Sequence, residues 1–167
     1  MKKIQKTNVA RLLDKAKVTY ELIAYEVDEN DLAAQHVADS LGEDIRQVFK
    51  TIVLHGDKTG HLVCVLPGDC EVDLKKAARV SGNKKVEPLP LKELLPTTGY
   101  IRGGCSPIGM KKHFPTFFHQ TALDFPYIYV SAGQRGLQIK LAPQDLIRES
   151  RGTVADLVQD SPIQQEQ

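Results

Sequence analysis

Val48-Phe49-Lys50-Thr51-Ile52-Val53-Leu54 and His61-Leu62-Val63-Cys64-Val65-Leu66 form the stretch whose reading decides the fold. Both are apolar runs rich in β-branched residues, which pack well on a pleated surface. Gly56-Asp57-Lys58-Thr59-Gly60 lies between them, and glycine with short polar residues favours a tight reversal. The pattern predicts a β-hairpin. At period two, Val48, Lys50, Ile52 and Leu54 share one face, and Phe49, Thr51 and Val53 the other. Both faces read as buried, so an amine at Lys50 is expensive on either. Three resolutions exist. The amine snorkels out at the strand end, pairs with a carboxylate in the core, or points into a ligand cavity where a substrate supplies its polar partner.

Outward from the hairpin, the upstream chain reads as helix, strand, helix. Thr7 or Asn8 caps a first helix with Val9, Leu12, Leu13 and Ala16 as its apolar stripe. Thr19 to Tyr25 is a strand, Asp28 to Asp31 a polar loop, and Leu32 to Leu41 a second helix ending at Gly42. Downstream, Asp73 caps a helix that stops at Gly82, and Val86 opens a short strand. Leu91 to Leu95 is a helical turn or two halted by Pro96. Thr116-Phe117-Phe118 is an apolar run. Tyr127 to Ala132 and Leu137 to Leu141 form a second hairpin around Gly133-Gln134-Arg135-Gly136. Pro143 opens a closing helix, and Thr153 caps a last turn over Val154, Leu157 and Val158. The order is mixed α+β, with a curved sheet of roughly six or seven strands flanked by helices. It is neither a regular βαβ alternation nor a P-loop. Residues 1–160 read as a single domain without repeat or linker, and 161–167 as a frayed polar tail.

Composition narrows the function classes. Apolar residues make up 41% and charged residues 26%, a balance typical of globular proteins rather than disordered chains. No stretch approaches the roughly 20 apolar residues of a membrane span. No apolar segment follows the basic start Met1-Lys2-Lys3, so no secretory signal is read. Three cysteines in no recognisable framework fit reduced thiols and a cytoplasmic location. A net charge of +1 means that any contact with nucleic acid is local. The basic pairs Lys75-Lys76, Lys84-Lys85 and Lys111-Lys112 are candidates for phosphate contacts. No metal site is read, since His55 and His61 lack an acidic or thiol cluster to complete one.

A second unusual segment is Thr98-Gly99-Tyr100-Ile101-Arg102-Gly103-Gly104-Cys105-Ser106-Pro107-Ile108-Gly109. Gly103 and Gly104 permit positive φ and close approach. Pro107 fixes its own φ and extends Ser106. The segment suits either a plain turn or a loop whose main chain meets a ligand.

Taken together and in order, Val48-Phe49-Lys50-Thr51-Ile52, Val72-Asp73-Leu74-Lys75-Lys76, Gly103-Gly104-Cys105-Ser106-Pro107-Ile108-Gly109 and Tyr129-Val130-Ser131-Ala132-Gly133-Gln134-Arg135-Gly136-Leu137 closely resemble the YbaK/EbsC family of Cys-tRNA(Pro) deacylases. These are relatives of the editing domain inserted in bacterial prolyl-tRNA synthetases. The resemblance runs from about Asn8 to Leu157. It implies a bifurcated, barrel-like mixed β-sheet with helices around it, and hydrolysis of cysteine wrongly esterified to tRNA(Pro). No cofactor and no metal are expected. The implied partners are aminoacyl-tRNA and, for selectivity, prolyl-tRNA synthetase. Lys50 matches the family's essential lysine. Gly103 and Pro107 match the ends of its GxxxP element, which encloses Gly104, Cys105 and Ser106 and whose main chain holds the aminoacyl carbonyl and terminal adenosine. Tyr25 and Ser131 match pocket positions, and Thr51 is a neighbour on the lysine's strand. Gln138 departs from the pattern, standing where a family representative carries aspartate. The implied mechanism has the substrate's own thiol attack its ester carbonyl. A thiol with a pKa of ~8.5 is a few per cent thiolate at neutral pH, whereas serine's hydroxyl is not ionised.

Alternatives remain at this level. Related domains remove alanine from tRNA(Pro). Cys105 with His113 or His119 as base would make a cysteine hydrolase. A non-catalytic adaptor that binds tRNA or a synthetase is the reading outside enzymes.

Overall fold

The computed structural model describes residues 5–160. The expected polar tail, 161–167, lies outside them. The described residues form five α-helices and eight strands. In chain order these are α1 (Asn8–Lys15), β1 (Tyr20–Ala24), α2 (Ala34–Leu41), β2 (Phe49–Gly56), β3 (Gly60–Pro67), α3 (Leu74–Ser81), β4 (Val86–Pro88), α4 (Leu94–Thr98), β5 (Thr116–His119), β6 (Ile128–Gln134), β7 (Leu137–Leu141), α5 (Pro143–Ser150) and β8 (Thr153–Ala155). The strands make not one curved sheet but two. One runs β1-β7-β6 and the other β4-β2-β3-β5-β8. They meet at a parallel bridge between Val48 and Tyr129 and part from there, which is the bifurcation.

The first hairpin forms as its sequence dictates. β2 and β3 pair antiparallel from Phe49↔Pro67 to Gly56↔Gly60 without a register shift. Its period of two sorts residues into different cores. Phe49, Val53, Val63 and Val65 enter the larger one, with Val9 and Leu13 of α1, Phe118, and the inward residues of β6 and β7. Leu54, Leu62, Cys64 and Leu66 enter a second core under α3, with Ala77, Ala78 and Leu157. Fully burying each such side chain stabilises by about 1.5–3 kcal/mol.

Capping follows chemistry. Thr7 Oγ1 accepts from the Ala10 N–H at 3.2 Å to start α1. Asp73 Oδ1 accepts from the N–H groups of Lys75 and Lys76, both at 3.0 Å, to start α3.

Four expectations need correction. α1 buries Val9, Ala10 and Leu13 against β6, leaving Leu12 39% exposed. α2 starts at Ala34 rather than Leu32, because the Ala33 N–H turns to Asp31 Oδ1 at 3.3 Å and holds the preceding residues in a turn. Pro96 does not halt a helix. It sits in the first turn of α4, where its missing N–H would have had no intrahelical partner, and the helix runs on to Thr98. Thr153 caps no helix. Thr153-Val154-Ala155 becomes β8, parallel to β5 with Phe118 opposite Val154. The turn after it is fixed by Leu157, whose N–H donates to His119 Nδ1 at 3.2 Å and whose C=O accepts from Asp73 N–H at 2.7 Å.

Candidate active site

β4 pairs with β2 only over Leu54–Gly56. One further bond, from the Leu89 N–H to Val53 O at 3.2 Å, ends the contact. On the β3 side, the Gly68 N–H reaches Val48 O at 2.8 Å. Main-chain bonding direction alternates along a strand. Thr51 therefore turns its N–H and C=O toward the side of Val53 O, where no strand covers it. A cavity of about 570 Å³ opens along this free edge. That geometry explains why neighbours from opposite faces of β2, Lys50 and Thr51, both line it. Lys50 is half-buried, and its Nζ donates to Gly68 O at 3.3 Å. Lys50 lines the cavity, and the partner of its amine is a main-chain carbonyl rather than a core carboxylate.

The opposite wall is the glycine loop. α4 ends at Gly99, and Tyr100 hydroxyl donates to Ile108 O, pinning the loop across its base. Gly103 takes φ 86°, in the left-handed region that favours glycine. Gly104 lies against the β6–β7 turn. A Cβ there would stand 3.0 Å from Gln134 Cα and 3.2 Å from Arg135 N, both main-chain atoms that cannot swing aside. Arg135 Nε donates to Arg102 O at 2.8 Å and ties the same two segments. The loop is thus held by the second hairpin, which itself carries a bulge between Ser131 and Gln134.

Five of the sequence-derived candidates line this cavity: Lys50, Thr51, Gly103, Cys105 and Ser131. Four do not. Tyr25 packs in a small cluster with Val37, Ala38, Val48 and Tyr129. Gly104 faces the hairpin, and its N–H donates to Ile101 O at 2.9 Å. Ser106 is fully buried, with Oγ 3.4 Å from the Ile108 N–H. Pro107 lines a second cavity of about 250 Å³ on the α1 and α5 side.

The first cavity also has members beyond the nine candidate site residues. Arg102 and Glu71 are exposed residues on its wall. Gln138 is only 5% exposed, and its Oε1 has no hydrogen-bond partner. Thr51 Oγ1 is likewise buried and unpartnered.

The arrangement tests the cysteine-hydrolase alternative. Burial pushes the Cys105 thiol up to about 12, so it is protonated at neutral pH. Neither proposed base reaches the cavity wall. His113 Nε2 lies 3.0 Å from Ser150 O, and His119 Nδ1 accepts from Leu157. The basic pairs are partly engaged within the chain. Lys76 Nζ donates to Asp156 at 2.9 Å and Val158 O at 2.7 Å, Lys85 pairs with Glu87 at 3.0 Å, and Lys111 Nζ donates to Pro96 O at 3.3 Å.

Comparisons with known proteins agree with the fold and extend it. The model of a family described as the aminoacyl-tRNA editing domain matches residues 28–149. A protein of Enterococcus faecalis that carries the name Cys-tRNA(Pro)/Cys-tRNA(Cys) deacylase EbsC is 52% identical over 153 residues, covering 92% of this chain and 93% of that one. A proline–tRNA ligase of Fervidobacterium nodosum is 29% identical over 82 residues, 49% of this chain and 14% of the ligase. A solved structure described as a trans-editing enzyme for prolyl tRNA synthetase superposes with a TM-score of 0.78 at 22% identity, covering 93% of this chain and all of that one. That last likeness is one of fold. No helix among the described residues is long and apolar enough to cross a membrane.

Proposed function

The chain belongs to the aminoacyl-tRNA editing domain family, and from that premise we propose that it is a trans-editing deacylase that releases cysteine from mischarged Cys-tRNA(Pro), and from Cys-tRNA(Cys). The observation that carries the reading is a convergence. Lys50 and Gly103, more than fifty positions apart, line one cavity along an open strand edge. Cysteine and proline are close in size, and a pocket discriminates poorly between near-isosteres. A second site that acts on the finished ester answers that need.

The chemistry asks little of the protein beyond placement. The substrate's thiolate attacks its own ester carbonyl carbon, the C–O bond to the tRNA breaks, and the terminal hydroxyl leaves with a proton. The proton that the thiol gave up to solvent is the one that the departing ribose oxygen regains, and the strained cyclic thioester that results takes up water and opens to free cysteine. Lys50 stabilises the oxyanion and orients the ester, and the glycine-loop main chain at Gly103 and Cys105 holds the carbonyl. Cys105 acts as wall, which its protonated thiol supports. Thr51 and Ser131 contact the aminoacyl group, while Tyr25, Gly104, Ser106 and Pro107 shape the wall from behind. The partners are aminoacyl-tRNA, with tRNA(Pro) as the principal one, and prolyl-tRNA synthetase as the source of selectivity among tRNAs.

The test is a deacylation panel of Cys-tRNA(Pro), Cys-tRNA(Cys), Ala-tRNA(Pro) and Pro-tRNA(Pro), each with wild type and Lys50→Ala. Release of cysteine that falls by about 100-fold or more in the variant, while tRNA binding is kept, supports the reading. Preferential release of alanine would move the substrate within the family. A variant with wild-type rates would favour the adaptor.

A further inference from the structure

Among the described residues, three buried side-chain oxygens lack a hydrogen-bond partner, and two of them, Gln138 Oε1 and Thr51 Oγ1, belong to residues that line the same cavity. Natural proteins rarely leave such groups unpaired, and those that are left need an explanation. Gln138 is held on β7 between Ile23 of β1 and Ser131 of β6, its register partners. Ser131 Oγ accepts from the Gly133 N–H at 3.1 Å and makes no hydrogen bond to Gln138 Oε1. The free edge beside Thr51 adds a main-chain carbonyl without a neighbouring strand. Both side-chain oxygens are closed to solvent, so the two wall residues carry unused acceptor capacity just behind the cavity surface.

Depth identifies the donor. Glu71, Arg102 and Leu91 of the wall are exposed, Leu91 at 59%, and mark the mouth. Gln138 marks the interior. An ester attached to a tRNA must leave its nucleotide at the mouth, so the interior meets the part furthest from the nucleic acid. In an aminoacyl ester, the strong donor at that end is the α-amine. Around it the wall carries Lys50 and Arg102 and a single carboxylate, Glu71, at the exposed rim. The interior acceptors are thus neutral.

We infer that Gln138 is a specificity-determining residue whose Oε1, with Thr51, receives the α-amine of the aminoacyl group. The inference rests on the deacylase reading. It distinguishes an α-amino acyl ester from any thiol-bearing ester of similar shape, using an amide where a charge-paired site would use a carboxylate.

The test measures kcat/KM on cysteinyl-tRNA and on 3-mercaptopropionyl-tRNA, which keeps thiol and ester but has hydrogen in place of the amine. Wild type, Gln138→Met and Gln138→Glu are compared. The readout is the ratio of the two values, which does not depend on how much of a variant folds. Gln138→Met fills the same space without an acceptor oxygen, and the ratio falls about tenfold, the effect of one lost hydrogen bond. Gln138→Glu keeps an acceptor at the same reach and keeps or raises the ratio. An unchanged ratio in Gln138→Met, or an equal fall in both variants, overturns the inference while leaving the deacylase reading intact. Wild type that cleaves neither ester removes that reading and this inference with it.

Discussion

Two cavities among the described residues meet different stretches of one glycine loop and differ in their polar groups. The smaller, lined by Leu12, Leu13, Pro107 and Ile108, pairs its two polar side chains nearest the core internally: His113 Nε2 lies 3.0 Å from Ser150 O, and Thr116 Oγ1 donates to Phe114 O at 2.9 Å. The larger keeps Gln138 Oε1 and Thr51 Oγ1 unpaired, together with a bare strand edge. Concavity is common to both. What separates a packing defect from a place for a ligand is polar capacity left unused behind an open door.

The contrast can be broken at several points. The largest expected effect falls on both cavities at once. Phe118 is fully buried in the core that contains Phe49 and Cys105 of one wall and Leu13 and Ile108 of the other. Phe118→Ala should destabilise the fold by about 3–5 kcal/mol, read as a shift of the denaturant midpoint. Next comes Lys50→Ala, confined to the larger cavity. It should lower kcat/KM for Cys-tRNA(Pro) roughly 100-fold, with a melting temperature near that of wild type because the side chain is only half-buried. His113→Ala probes the smaller cavity and should do the reverse, leaving deacylation unchanged and destabilising by about 1 kcal/mol.

The smallest effect concerns pH and lies away from both cavities. Burial lowers the His119 pKa below its usual 6.5, against the nearby Asp156, which raises it. The unfolded chain therefore binds this proton more readily than the folded one. Stability from the neutral ring is full above about pH 6.5 and is lost as pH falls through the lowered folded value. His119→Asn should flatten that acid-side slope in unfolding titrations, and an unchanged slope would assign it to other groups.

The sequence made much of the fold legible, for physical reasons. The first hairpin could be read because both its faces are buried, so its alternation of side chains matches two cores. Asp73 and Gly82 marked α3 because capping is local chemistry. β8 was not legible. A three-residue strand exists only through parallel pairing to β5, and nothing local in Thr153-Val154-Ala155 announces that. The site divided along the same line. Lys50 stood out because an amine in an apolar run demands a reason. The reason itself, that β4 covers only one end of β2, is tertiary. Gln138 stood out only against the family resemblance, not from the alternation of apolar and polar residues along its own strand. It alternates with Leu137, Ile139 and Leu141 on β7 as a solvent-facing residue would, and its 5% exposure arises from what folds over it.

The abutment of Gly104 on the turn of the second hairpin has a practical corollary. Because a methyl group between them would already crowd main-chain atoms at 3.0–3.2 Å, the wall of the larger cavity takes its position from a surface connection, Gln134-Arg135, that anyone can edit. Grafting a longer or shorter connection there would widen or narrow the chamber from outside, a remote dial for anyone who wishes to retune which esters fit.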